Sequence, residues 1–171
     1  VKRNEDGKID FVACSPPVEK KAVIGVRACD LAALRLQDQH FLESETSDPY
    51  YAARREGLFL VAVNCTHPAQ TCFCASTGDG PAAEHSLELV LSELDEGFII
   101  KAGSGTGRHI MAKLTLDEVS SSQLSLAEHE VKQAAESQQR QLPSTNLRDS
   151  LFNNLEHPRW DELAERCLSC S

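Results

Sequence analysis

The apolar stretch Leu58-Phe59-Leu60-Val61-Ala62-Val63 leads directly into Asn64-Cys65 and a loop that carries two further cysteines. A near-continuous apolar run of this length is typical of a strand buried on both faces of a sheet. A second such run, Ala22-Val23-Ile24-Gly25-Val26, stands earlier in the chain. The residues between the two runs indicate helices, and parallel strands need a crossover of this kind. The sequence therefore predicts an α/β fold.

The two helices between these strands have recognisable ends. Asp30 is a good N-cap, so we expect the first helix to begin there and to run to about Leu42. Asp48-Pro49 predicts the start of the second helix, because Asp caps well and Pro suits the first helical position. Gly57 suits the C-terminal cap of that helix.

The remaining pattern completes the predicted fold. Alternating leucines between Ser86 and Leu94 favour a strand, and the residues from Gly97 to Ala102 favour its hairpin partner. The run Gly103 to Gly107 is expected to be a hairpin or surface loop, since Arg108 and the residues after it do not indicate a helix. The fold class is thus α/β, with a small, partly parallel sheet flanked by helices, a β-hairpin and a helical C-terminal extension. The helices of that extension are predicted at about 126–139, 146–155 and 158–165.

Composition limits the classes of partner and compartment. The formal net charge is -9, which argues against nucleic acid, and no basic stripe with interleaved aromatics is present. No apolar run approaches the roughly 20 residues of a membrane span. Seven cysteines in a chain of 171 residues would leave one unpaired, so a reducing, cytoplasmic compartment is the better interpretation. The chain begins with Val1 and stops one residue after a C-x2-C, which predicts a piece of a longer polypeptide.

Three thiols crowd the loop after the second apolar run, with Cys65, Cys72 and Cys74 in the spacing C-x6-C-x-C. Cys72 and Cys74 would share one face of an extended strand. If the two apolar runs are parallel neighbours, Cys29 and Cys65 both lie just past a strand's carboxyl end, where open α/β sheets place ligand sites. Cys29 would also precede a helix N-terminus, which favours a thiolate. We therefore expect Cys29, Cys65, Cys72 and Cys74 to converge on one centre.

Four thiolates suit an iron–sulfur cluster, either 4Fe–4S or 2Fe–2S, and the spacing does not decide which. Zinc held by four cysteines is an alternative, although the usual paired C-x2-C knuckles are absent. His67 is a further candidate ligand in place of Cys29, and packing of these thiols in the core without any metal also stays open. Cys14 is expected to be an ordinary small residue. No arrangement of hydrolytic residues stands out, so no catalytic residue is assigned.

Five motifs in order carry a resemblance to a known family: Gly25-Val26-Arg27-Ala28-Cys29-Asp30-Leu31, Asp48-Pro49-Tyr50-Tyr51 leading to Arg54-Arg55, Asn64-Cys65, Cys72-Phe73-Cys74 and Gly78-Asp79-Gly80-Pro81. From about Lys21 onward, the chain resembles the region ahead of the ferredoxin domain in sulfhydrogenase beta subunits and in the corresponding electron-transfer subunits of anaerobic sulfite reductases. Trp160 and Arg166-Cys167-Leu168-Ser169-Cys170 resemble that family's entrance to its 4Fe–4S dicluster segment.

The resemblance implies an electron-transfer subunit of a hydrogenase or sulfite reductase complex, not itself catalytic, that relays electrons between a flavin-containing subunit and a catalytic subunit. It also implies that Cys167 and Cys170 are the first two thiolates of a C-x2-C-x2-C-x3-C-P run. The implied domains are residues 1–120, which carry the cysteine loop, and residues 121–171, a helical linker into a truncated ferredoxin-type domain. The alternative function is a redox-inert docking domain whose cysteines bind zinc or no metal.

Overall fold

The computed structural model describes residues 2–3, 7–11, 17–143 and 146–167. The chain divides into two compact units, Val1–Arg140 and Gln141–Ser171. The domain limits drawn from the resemblance, at residues 120 and 121, stay a prediction. No helix in the described ranges is both long enough and apolar enough to cross a membrane.

The first unit holds a four-stranded sheet with helices around it. Its strands are β1 (Lys2–Arg3), β2 (Ile9–Asp10), β3 (Lys21–Val26), β4 (Leu58–Val63), β5 (Leu89–Leu94) and β6 (Gly97–Ala102). Its helices are α1 (Ala28–Leu42), α2 (Pro49–Glu56), α3 (Cys74–Thr77), α4 (Gly105–Met111) and α5 (Ser121–Glu136). The second unit contains α6 (Leu147–Phe152) and α7 (Arg159–Arg166). Strands β1 and β2 form a separate antiparallel pair.

The sheet has the strand order β3-β4-β5-β6. β3 pairs parallel with β4, and β4 pairs parallel with β5, while β5 and β6 form an antiparallel hairpin. The helices α1 and α2 make the crossover from β3 to β4, as parallel pairing requires. The predicted α/β class, the parallel strand pair and the hairpin are therefore confirmed.

Burial in β3 differs from the prediction. The sequence pattern indicated a strand covered on both faces, but β3 is an edge strand, and Ile24 is 72% exposed. Its pairing with β4 shifts register between Ile24 and Val26, at Gly25, which has a φ of 90°. An apolar run shows that a strand belongs to a sheet without showing its place in the strand order, which explains the error.

The core lies between one face of the sheet and α1. Leu60 and Ala62 of β4 are 2% and 0% exposed, and they cluster with Val90 of β5 and with Leu31 of α1. Removing apolar surface from water contributes roughly 25 cal/mol per Å², so this cluster is the main source of stability that the unit has. The same packing fixes the first turn of α1 against the carboxyl ends of β3 and β4.

The sequence pattern placed the start of α1 wrongly and did not predict α4. α1 begins at Ala28 with Arg27 as its N-cap, and Asp30 lies at the third helical position, where its carboxylate accepts a 3.0 Å hydrogen bond from the Arg27 N–H. The glycine run after β6 was expected to be a loop, but Gly105 begins α4, and the Ser104 hydroxyl caps it by accepting from the Gly107 N–H. Capping side chains satisfy the free N–H groups of a first turn, and this stabilises the starts of α1 at Ala28 and of α4 at Gly105.

The start of α2 matches the prediction. Asp48 accepts hydrogen bonds from the N–H groups of Tyr50 and Tyr51 at 2.7 and 3.1 Å, and Pro49 occupies the first helical position. Gly57 is the C-terminal cap, as expected.

A polar cluster ties α1 to α2. The Asp38 carboxylate accepts from the Tyr51 hydroxyl at 2.7 Å and from Arg55 Nε at 3.0 and 3.1 Å. Asp38 and Arg55 are each only 20% exposed, so the pair is partly shielded from water. Burial raises the pKa of Tyr51 to about 12, and the hydrogen bond and negative charge of Asp38 add to the rise, while Arg55 opposes it.

This cluster predicts a loss of stability at high pH. The unfolded pKa of tyrosine is about 10, so the native state favours the protonated phenol, and its contribution is complete below pH of about 10 and is lost as pH rises towards about 12. We expect the phenol absorbance of a Tyr50→Phe variant to titrate near 12, and to titrate lower when Asp38→Asn is added. An unchanged midpoint in the double variant would contradict the assignment.

Candidate functional site

Two cysteines of the predicted site lie at the edge of the sheet where β3 and β4 end. The two strands are parallel neighbours, with Ile24 opposite Val61 and Val26 opposite Ala62. Cys29 follows the end of β3 and Cys65 follows the end of β4, so the backbone carries both to the same edge of the sheet. This part of the prediction, which depended on strand adjacency, is confirmed.

Cys29 lies in the first turn of α1 and is exposed. Partial burial of the Cys29 sulfur raises its pKa, and the Asp30 carboxylate and the Cys74 thiol raise it further. The expectation that this position favours a thiolate stays a prediction. Ala28, the residue before Cys29, and the Cys74 sulfur both pack against Gly80.

The loop that holds Cys72 and Cys74 is not an extended strand. The Cys72 N–H donates to the Ala69 carbonyl at 2.9 Å, and Phe73 is the N-cap of α3, which begins at Cys74. The predicted extended geometry, which would place the two thiols on one face, is therefore not found here. The Asp79 N–H closes the short helix by donating to the Cys74 carbonyl at 3.0 Å.

The segment Gly78-Asp79-Gly80-Pro81 connects three parts of the site. Its Pro81 carbonyl accepts from the Cys65 N–H at 3.2 Å. Asp79 pairs with Arg35 of α1 at 3.2 Å. Gly80 packs so closely that an added Cβ would lie 3.0 Å from the Ala28 Cβ and 3.2 Å from the Cys74 Sγ. Sequence reasoning used this segment only as a motif and a turn, and its glycines were the one signal of close approach.

Gln138 also contacts the candidate site, a contact that the sequence does not predict. It follows α5, is 7% exposed, and its amide contacts the sulfur of Cys74 and the backbone of Ala75. The sequence offered no signal, because Gln138 stands in a run of polar residues that predicts a solvated helix end.

The donor chemistry fits an all-thiolate centre, since Cys29, Cys65, Cys72, Cys74 and Cys167 are all free thiols. The geometry of the metal-free chain is less complete. Within the ranges that the structure describes, no group of three or more His, Cys, Asp or Glu side chains is placed to hold a metal ion. The convergence of all four site cysteines therefore stays a prediction.

The other candidate ligands are His67, Cys167 and Cys170. His67 is exposed, and its Nδ1 is 2.9 Å from the Thr66 hydroxyl. Cys167 is exposed directly after α7 in the second unit. Cys14 and Cys170 fall outside the described residues.

A groove of about 750 Å³ opens beside the site, between α1, the segment of residues 78–81 and α5. Its floor is formed by β5 and β6, with Ser92 and Lys101 among the lining residues. Residues 103–107 do not line it.

Comparison with known proteins gives one informative match. The chain is 29% identical over 153 residues to the sulfhydrogenase 2 subunit beta of Pyrococcus furiosus, which covers 88% of this chain and 45% of that protein. The chain thus spans just under half the length of that relative. No family model matches the chain, and no solved structure matches it. The predicted resemblance is confirmed in this respect: over most of its length, the chain is similar to a sulfhydrogenase beta subunit.

Proposed function

We propose that this chain is an electron-transfer part of a multisubunit redox complex of the hydrogenase type, and that Cys29, Cys65, Cys72 and Cys74 hold an iron–sulfur cluster. The observation that carries the proposal is that Ala28, which precedes Cys29, and the Cys74 sulfur pack against the same residue, Gly80, beside the edge where β3 and β4 end. The homology to a hydrogenase subunit supports the redox role.

The cluster would supply a one-electron carrier, and this chain would supply its thiolates and its surroundings. The first turn of α1 presents Cys29, the end of β4 leads to Cys65, and α3 presents Cys74. Gly80 leaves no free volume between Ala28 and Cys74, so its backbone would limit the access of water to that side. Cluster type, 4Fe–4S or 2Fe–2S, is left open by the ligand set.

The partners follow from the same proposal. The chain would accept electrons from, or deliver them to, a flavin-containing subunit and a catalytic subunit, in the cytoplasm. Cys167 and Cys170 would begin a second, ferredoxin-type cluster. The chain itself would bind no separate substrate, and we assign it no catalytic residue.

A docking domain is the second candidate function, with zinc or no metal at the cysteines. The exposed apolar edge strand favours it, because Ile24 and Val23 are 72% and 42% exposed, as in strands that pair with a partner.

The experiment is iron, zinc and sulfide analysis with an absorption spectrum, on protein purified without oxygen. We expect iron and sulfide for about one cluster per chain. Cys74→Ser removes one proposed ligand and should abolish that content. Cys14→Ser, a matched loss of a thiol that is assigned to no cluster, should leave it unchanged. Zinc in place of iron, or no metal in any of the three proteins, would sink the iron–sulfur proposal and favour the docking domain.

A further inference from the structure

The side chain of Gln138 crosses from the end of α5 to the cysteine loop. Its Oε1 accepts a 3.0 Å hydrogen bond from the Ala75 N–H, and its Nε2 lies 3.3 Å from the Cys74 Sγ. The backbone N–H can only donate, so the amide oxygen must face Ala75 and the NH2 group must face the sulfur. Gln138 is thus held at both ends of its amide.

Burial makes this contact specific. Among the described residues, Gln138 is the one polar side chain that is buried, at 7% exposed. Burying an amide without hydrogen bonds costs folding free energy. Its two partners are adjacent residues at the start of α3, which has only four residues and little stability of its own. A short helix of this kind needs an external partner to fix its first turn.

We propose that Gln138 is a positioning residue for Cys74. The acceptor half of its amide fixes the first turn of α3, and the donor half directs an N–H group at the Cys74 sulfur. The first half concerns the chain alone. The second half rests on the proposed function, because a donor aimed at a ligand sulfur stabilises the reduced, more negative state of an iron–sulfur cluster.

Amide hydrogen exchange tests the first half on metal-free protein. Gln138→Leu removes the acceptor, so the Ala75 amide should exchange about tenfold faster. Gln138→Glu keeps an acceptor oxygen in the same place, so exchange should stay within roughly twofold of the unmodified chain. Ser137→Ala is the matched control: it removes the neighbouring 3.0 Å bond from the Ser137 hydroxyl to the Ala134 carbonyl without touching Cys74.

The reduction potential of the iron-loaded protein tests the second half. Gln138→Leu should shift the one-electron equilibrium about three- to tenfold towards the oxidised state, where tenfold is 59 mV. Ser137→Ala should not shift it. Unchanged Ala75 exchange in Gln138→Leu would overturn the positioning role, and an unchanged potential would overturn the donor role. Failure of the unmodified chain to take up iron and sulfide would overturn the proposed function and with it the donor role, while the exchange result would still decide the positioning role.

Discussion

Gly107→Ala is expected to lower the free energy of unfolding by about 3 kcal/mol, the upper end of the usual cost of overpacking. Gly107 is a buried residue of α4, and a Cβ there would overlap the backbone carbonyl oxygen of Glu88. That carbonyl also accepts a 2.9 Å hydrogen bond from the Gly103 N–H, at the end of the hairpin. The added methyl group would therefore clash with backbone atoms of Glu88, and no side-chain rotation can relieve that clash.

The effect would spread beyond α4 because Glu88 is linked to the central strand. Its N–H donates to the Leu60 carbonyl at 2.9 Å, and its carboxylate accepts from the Leu60 N–H at 2.5 Å. Displacing Glu88 would disturb the edge of the core around Leu60, which is 2% exposed.

Urea unfolding of two single variants, Gly107→Ala and Gly105→Ala, tests this argument. Gly105 begins the same helix, and an added Cβ would meet only the Arg108 Nη2, at 3.8 Å, an ordinary contact. Since Ala is a better helix former than Gly, Gly105→Ala should be neutral or stabilising by up to about 1 kcal/mol. Equal stability losses in the two variants would show that α4 does not pack on Glu88 as described.

The parts of the fold that could be predicted are those set by local pattern. The apolar run of β4 and the alternation in β5 both gave strands, and the Asp48-Pro49 signal gave the start of α2. The exposure of Ile24 could not be predicted, because it depends on which strand ends the sheet, and that is a property of the whole topology.

Helix boundaries failed where capping came from an unexpected side chain. Ser120 caps α5 with Gln123 in a capping box, so the helix begins at Ser121, about five residues before the predicted start at Leu126. The serines at the start of α5 carry no apolar periodicity, and the buried Ala127 and Ala134 are too small to give a strong apolar signal.

The candidate site also has features that the sequence predicts and features that it does not. Crowded thiols are visible in sequence, and parallel strands bring Cys29 and Cys65 to one edge. The contact between Gln138 and Cys74 joins residues that are far apart in the chain, and no periodicity of the sequence predicts such a contact. Sequence therefore identifies donor atoms well and the residues that hold them poorly, because holding depends on tertiary packing.

Gly80→Ala should damage both the fold and the site. Gly80 has a φ of 155°, a region that residues with a Cβ rarely occupy, and the new methyl would lie 3.0 Å from the Ala28 Cβ and 3.2 Å from the Cys74 Sγ. Backbone strain and overpacking together should cost about 2 to 4 kcal/mol of unfolding free energy. The methyl would also separate the first turn of α1, which carries Cys29, from Cys74, so iron and sulfide content should fall sharply.

Gly78→Ala separates these two effects. Gly78 has a φ of 73°, but no atom lies within 4 Å of an added Cβ, so its substitution adds backbone strain of about 1 to 2 kcal/mol without wedging the site apart. Anaerobically purified Gly78→Ala should therefore bind iron as the unmodified chain does, at a modest loss of stability in urea. If both variants lost iron in proportion to their stability, the distance between Ala28 and Cys74 would not matter for the cluster. If only Gly80→Ala lost iron while remaining folded by circular dichroism, the close packing at Gly80 would be what holds the two cysteines in reach of one centre.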